Sequence, residues 1–298
     1  MHIANPIYDV VFKFMIEDNR VAKAFLSAII GEEVSELDFA SQERTVRVSS
    51  RKEGGEDDSP PEGSGINFTV CRFDFSARIA TSEGSYKTVL IELQKAKLAS
   101  DIMRFRRYVG LHYQNPDNSY GEGDSRKARQ IYCIFLLGYD IGFPGSVVVS
   151  VDSVIRDVTT GKALSGPNEF TDSLHHRSWI VQTEQLKYHR RTDMEKLLSI
   201  FDQENRTRNH HILNVDEDDF PEHYRPIIRR LRMASESEDM QIEMEMEDDY
   251  LKELQDKERT IAEQWKALAE QKKALKEKDR DIEEKNKSIE EKDKSMGV

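Results

Sequence analysis

Cysteine is nearly absent: Cys71 and Cys133 are the only two in 298 residues, and both sit inside apolar, strand-like runs. Two cysteines make neither a disulfide framework nor a zinc cage of recognisable spacing, so they read as buried free thiols in a reducing compartment. No apolar run approaches a membrane span of about 18 residues, and the opening Met-His-Ile-Ala-Asn-Pro lacks the basic and apolar regions of a signal peptide. A soluble, cytoplasmic protein with no membrane partner is expected. Several chemical signatures are missing too. Gly121-Glu-Gly123 and the glycines at 142 and 145 match neither a P-loop nor a dinucleotide fingerprint, and no Ser nucleophile elbow occurs. His175-His176, His189 and His210-His211 lack the i, i+4 pairing with a catalytic acid that a zinc protease needs. They read as surface histidines.

Charge, by contrast, is plentiful. Charged residues make up 34% of the chain and hydrophobic ones 37%, with a net charge of -12. The excess is local: after position 235 there are 13 basic against 21 acidic residues, so the preceding part is only mildly acidic. A local basic patch there remains compatible with a nucleic-acid ligand. Residues 236–249 hold eight acids and no base and read as an acidic linker. Beyond it Leu254, Ile261, Leu268, Leu275, Ile282 and Ile289 recur every seven residues, a coiled-coil seam. The companion positions, Leu251, Glu258, Trp265, Lys272, Asp279 and Asn286, are poor. A solvated helix, a homodimer or a helix packed on its own domain all fit residues 250–298.

Residues 1–235 read as one domain. Apolar residues at three- and four-residue steps predict two helical segments within 5–31, interrupted near Glu17-Asp-Asn19 and stopped by Gly31. A short strand is expected over 41–48 and a mobile loop over 48–65, where Gly, Ser, Pro and acids dominate. A hairpin over 66–97 follows, then a helix over 101–114 and a fully covered strand over 129–138. Strands at 147–158 and 179–183, and helices at 193–202 and 221–234, complete an α/β or α+β domain with a mixed sheet.

The hairpin carries the chemistry. Phe68–Ile79 and Thr88–Lys97 are strands built to be buried, and each contains a lone carboxylate, Asp74 and Glu92. A buried carboxylate is costly unless it is paired or ligates a metal. Pairing of Asp74 with Arg72 or Arg78, and of Glu92 with Lys95 or Lys97, is the structural alternative. Two carboxylates on neighbouring strands make a Mg²⁺ site, and Gln94 shares the strand face of Glu92, so that its amide oxygen can ligate the ion or orient a water. Asp9 and Lys13, four apart on a helix, share a face and form either a simple ion pair or part of a site. Helix 101–114 presents Arg104, Arg106 and Arg107 beside Phe105 and Tyr108. It is either a partly solvated amphipathic helix or a set of phosphate contacts.

This arrangement resembles the PD-(D/E)XK nuclease superfamily, and more closely its transposase family, the recombination-promoting nucleases. The resemblance runs in order through Asp9-x-x-Phe12-Lys13, Phe25-Leu26-Ser-Ala-Ile-Ile30, Phe73-Asp74, Ile91-Glu92-Leu-Gln94, Arg104-Phe-Arg-Arg107-Tyr108 and the strand 131–137, covering residues 5–235. It implies a restriction-endonuclease-like mixed sheet flanked by helices and a metal-dependent DNA endonuclease. Asp74 and Glu92 would hold Mg²⁺, with Mn²⁺ as a substitute. Gln94 would be a ligand or water-positioning group, Asp9 a supporting residue, and Arg104, Arg106 and Arg107 the DNA contacts. Glu-x-Gln departs from the superfamily's Glu-x-Lys, so Lys13 or Lys97 would take over the lysine's part. The competing reading is a non-catalytic interaction protein on a nuclease-like scaffold, assembling through its helical tail.

Overall fold

Asp18 makes the break that separates the first two helices. Its side chain accepts from the backbone N–H of Arg20 (2.9 Å) and of Val21, capping the second helix and holding its own carboxyl below the usual range. Gly31 stops that helix with φ of 79°, a left-handed conformation that suits glycine. A computed structural model describes residues 1–39, 44–48, 66–71, 75–81, 86–95, 101–121, 123, 127–166 and 168–296.

The first half of the chain forms β1 (His2–Ala4), α1 (Asp9–Glu17), α2 (Asn19–Ile30), β2 (Val34–Phe39), β3 (Arg44–Val48), β4 (Ile66–Cys71), β5 (Phe75–Thr81) and β6 (Tyr86–Gln94). Next come α3 (Asp101–Gln114), β7 (Ser119–Tyr120), β8 (Lys127–Ala128), β9 (Gln130–Leu137), β10 (Val148–Val151), α4 (Glu169–Ser173) and β11 (His176–Gln182). The chain ends with α5 (Asp193–Leu198), β12 (Ile212–Asn214), α6 (Arg225–Ser235) and α7 (Glu238–Met296). No helix among the described residues is long and apolar enough to cross a membrane.

The mixed sheet has six strands in the order β10-β11-β9-β6-β5-β2. β6, β9 and β11 run parallel, and the outer pairings are antiparallel. β9 lies inside the sheet as its apolar run requires. Tyr132, Ile134 and Leu136 face one layer with Val89 and Ile91 of β6, where α1, α2, α5 and α6 bury Phe12, Phe25, Leu197 and Ile228. Ile131 and Cys133 face the other with Leu90, where Tyr108 and Val109 of α3 cover them. Burial pushes the Cys133 thiol up to about 12.

Three expectations change. Among the described residues the strand expected over 68–79 falls in two sheets: its first part pairs with β3 in a two-stranded sheet, and Phe75–Thr81 enters the main sheet between β2 and β6. The strand expected over 147–158 shortens to β10, the part that pairs with β11. Beyond it Asp157 accepts from the backbone and side chain of Thr159 and from Thr160, a turn that draws its carboxyl down to about 2. The acidic stretch 236–249 is helical from Glu238 onward, with acids suited to a helix N-terminus and Met244 buried in the main core. The loop expected at 48–65 lies outside the described residues from 49 on.

The chain divides into two units, 1–247 and 248–298. In the second, the seam residues Ile261, Leu268, Leu275 and Ile282 are exposed, and Glu253–Lys257 and Asp256–Arg259 pair along the helix surface.

Two outcomes follow from the packing around β9. Gly138, just past its end, donates its N–H to Gln94 O (2.8 Å), and a Cβ there meets Lys95 O at 2.3 Å. Gly138→Ala is expected to cost about 1–3 kcal/mol in denaturant unfolding. Cys133, wholly buried, is expected to resist iodoacetamide at neutral pH until the chain unfolds, as peptide mapping after alkylation will read.

Candidate functional site

β6 is the strand that positions the site. Along it, Val89 and Ile91 enter the main core, so Leu90, Glu92 and Gln94 turn to the face covered by α3. Glu92 and Gln94 are 3% and 5% exposed, and a charge that deep needs a partner. Arg104, in the first turn of α3, supplies it. Its guanidinium donates to Glu92 Oε1 at 2.7 Å and also to Gln94 Oε1. Of the two lysines offered as structural alternatives, Lys95 places its ammonium 3.5 Å from the centre of the Tyr8 ring, and Lys97 lies outside the described residues.

The register places Phe75 opposite Ile91. Asp74 and Glu92 are their immediate neighbours in sequence, but Asp74 also lies outside the described residues.

Asp9 and Lys13 form the ion pair that their spacing predicts. Asp9 opens α1, and its backbone N–H donates to Glu247 Oε2 at 2.9 Å. Its Oδ1 is buried with no hydrogen-bond partner among the described residues. α1 packs on the sheet face opposite to Glu92, so Asp9–Lys13 and Glu92–Gln94 belong to different layers. The start of α1 still reaches the end of β6 through Tyr8 and Lys95. Tyr8 is held from behind by His211, whose ring meets it edge-on at 5.0 Å. His211 is buried, contrary to the surface position expected from its polar surroundings, because Asn5 N–H bonds its carbonyl at 2.8 Å and draws the 209–212 turn inward.

Of the three arginines on α3, Arg104 points to the sheet, while Arg106 and Arg107 are exposed. The sequence left all three as either a solvated helix face or phosphate contacts and missed Arg104 as a partner of Glu92. The signal was present: Arg104 and Tyr108 are four apart on one helical stripe, and that stripe is the one that covers β6 and β9.

Chemically, Glu92 and Gln94 offer hard oxygen donors, a carboxylate and an amide, of the kind Mg²⁺ takes. Their oxygens face the same cationic group, so the place already suits positive charge. The donor set therefore fits a divalent cation in kind.

Removing Arg104 takes away the guanidinium that faces buried Glu92. Arg104→Ala is expected to cost about 3 kcal/mol in denaturant unfolding, and the double replacement Glu92→Met with Arg104→Met to recover most of that loss. Comparison with protein-family models, curated proteins and solved structures finds no match for this chain.

Proposed function

We propose that residues 1–247 form a Mg²⁺-dependent endonuclease of the PD-(D/E)XK kind, acting on DNA and related to the transposase-associated nucleases. The observation that supports it most is the buried Glu92–Gln94 pair, side by side on β6 and facing α3 rather than the main core. Strand β6 lies between its antiparallel neighbour β5 and the parallel β9, in keeping with the restriction-endonuclease-like sheet that the resemblance implies.

In this reading Asp74 and Glu92 hold the ion, and Gln94 holds it or orients the attacking water. Bound there, Mg²⁺ or Mn²⁺ would lower the pKa of a water and neutralise charge on the phosphate. Arg104, with Arg106 and Arg107 along α3, would supply contacts to the phosphates of the strand. The position of Gln94 leaves the lysine's part to another residue. Lys13 is engaged by Asp9 in the other layer, which favours Lys97 for stabilising the developing charge, with Asp9 holding Lys13.

A second reading is favoured by Arg104 itself. A guanidinium that answers both Glu92 and Gln94 is what a non-catalytic scaffold would keep, with the exposed seam of α7 pairing two copies as the working part.

The test is nicking of supercoiled plasmid by the purified chain with Mg²⁺ or Mn²⁺. Asp74→Ala and Glu92→Ala are each expected to lower the rate by about two orders of magnitude or more. Lys97→Ala should lower it more than Lys13→Ala. Wild-type protein that cuts nothing, or variants that cut as well as wild type, would leave the scaffold reading standing.

A further inference from the structure

Helix α3 does not cover its whole sheet face. It lies over β6 and β9, and where the sheet continues to β11 a groove of 370 Å³ opens beside it. That volume falls within the roughly 300–1,000 Å³ of small-molecule sites. Phe105, Arg106, Gly110 and Tyr113 border it from the helix, and Phe135 and His176 from the sheet.

The groove adjoins the candidate site. Phe135 sits opposite Glu92 in the β6–β9 register, and Phe105 follows Arg104 on α3. The Phe105 and Phe135 rings lie 4.9 Å apart, giving the floor two aromatic faces. At the far end the Tyr113 hydroxyl meets His176 Nδ1 at 3.2 Å. Burial, with His175 alongside, holds the His176 ring below its usual range. Hydroxyl and imidazole together offer donors and acceptors suited to the edge of a heterocycle.

Two further features bear on what fits. In a chain of net charge -12, the residues that line this groove include Arg106 and no acid, with exposed Arg107 next along the helix and Glu92 beside it facing Arg104. That suits a polyanion whose backbone lies along α3. Gly110 stands in mid-helix, where glycine is unfavourable, yet a Cβ there would meet nothing within 4 Å. Packing does not require a glycine at this place. Its effect is to keep the groove open down to the helix backbone.

We infer that this groove binds an unstacked nucleobase of a single-stranded nucleic acid, with Phe105 and Phe135 as the stacking platform and Tyr113 and His176 at the base edge. The inference rests on the nucleic-acid reading above and adds to it a preference for strands whose bases are free to leave the stack. Apolar and aromatic walls, a basic rim and an open helix backbone are the elements of single-strand recognition.

The experiment is fluorescence anisotropy with the full chain in EDTA, comparing a labelled single-stranded oligonucleotide with the duplex of the same sequence. Wild type is expected to bind the single strand more tightly. Phe105→Ala and Gly110→Leu should weaken that binding about 5- to 150-fold and leave duplex binding within about twofold. Gly110→Leu replaces a poor helix former with a good one, so its denaturant midpoint should not fall, and lost binding then reports a filled groove. Photo-cross-linking with an iodouracil-substituted strand should map to α3 or β9. Equal binding of both oligonucleotides with unchanged variants would overturn the inference and leave the nuclease reading intact. Cross-links elsewhere would also overturn it, giving the groove to another occupant such as a protein segment. Wild type that binds no nucleic acid would overturn both.

Discussion

A single buried carboxylate governs the layer that α3 forms. Glu92 lies inside a strand flanked on both sides, where an uncompensated charge is far more costly than any packing gain around it. Arg104 answers it, and a guanidinium anchored at the first turn fixes how α3 is rotated over the sheet. Tyr108, four residues on, then meets Leu90, Ile131 and Cys133, while Phe105 is turned toward Phe135. The groove beyond β9 is thus a by-product of the same rotation. One ion pair sets which residues of the helix are core, which are rim and which are solvent.

In the nuclease reading the same place would have two electrostatic states. Buried Glu92 needs positive charge facing it and Gln94 a donor, and a guanidinium supplies both here. In the nuclease reading, the protein without metal is held together by the group that the metal displaces. In the scaffold reading, the guanidinium is permanent. Both begin from one requirement imposed by burial, and they differ in what satisfies it.

Much of this was legible in the sequence. The paired helices, the break near residue 18, the covered strand and the shared face of Glu92 and Gln94 follow from local periodicity, which acts within a few residues. Strand pairing was less legible. The apolar run 68–79 has no local mark showing that its first part would pair with β3, since both halves have strand-forming composition. Arg104 illustrates the same limit. A basic helix face reads as a surface for anions, and the stripe that Arg104 shares with Tyr108 is informative only once β6 and β9 are known to lie beneath it. His211 was misplaced because its neighbours are polar, whereas its burial depends on Asn5, far away along the chain.

The pairing of β1 with β12 joins residues 2–4 to residues 212–214 and ties the helices α1 and α2 to the far end of the first unit. Contacts between such distant positions close only after most of the chain between them has collapsed, which slows folding. The parallel strands β6, β9 and β11 add further non-local pairings to the same core. During synthesis the apolar faces of α1 and α2 therefore emerge long before β12 does. They wait uncovered until it arrives, the kind of exposed apolar surface on which folding intermediates aggregate.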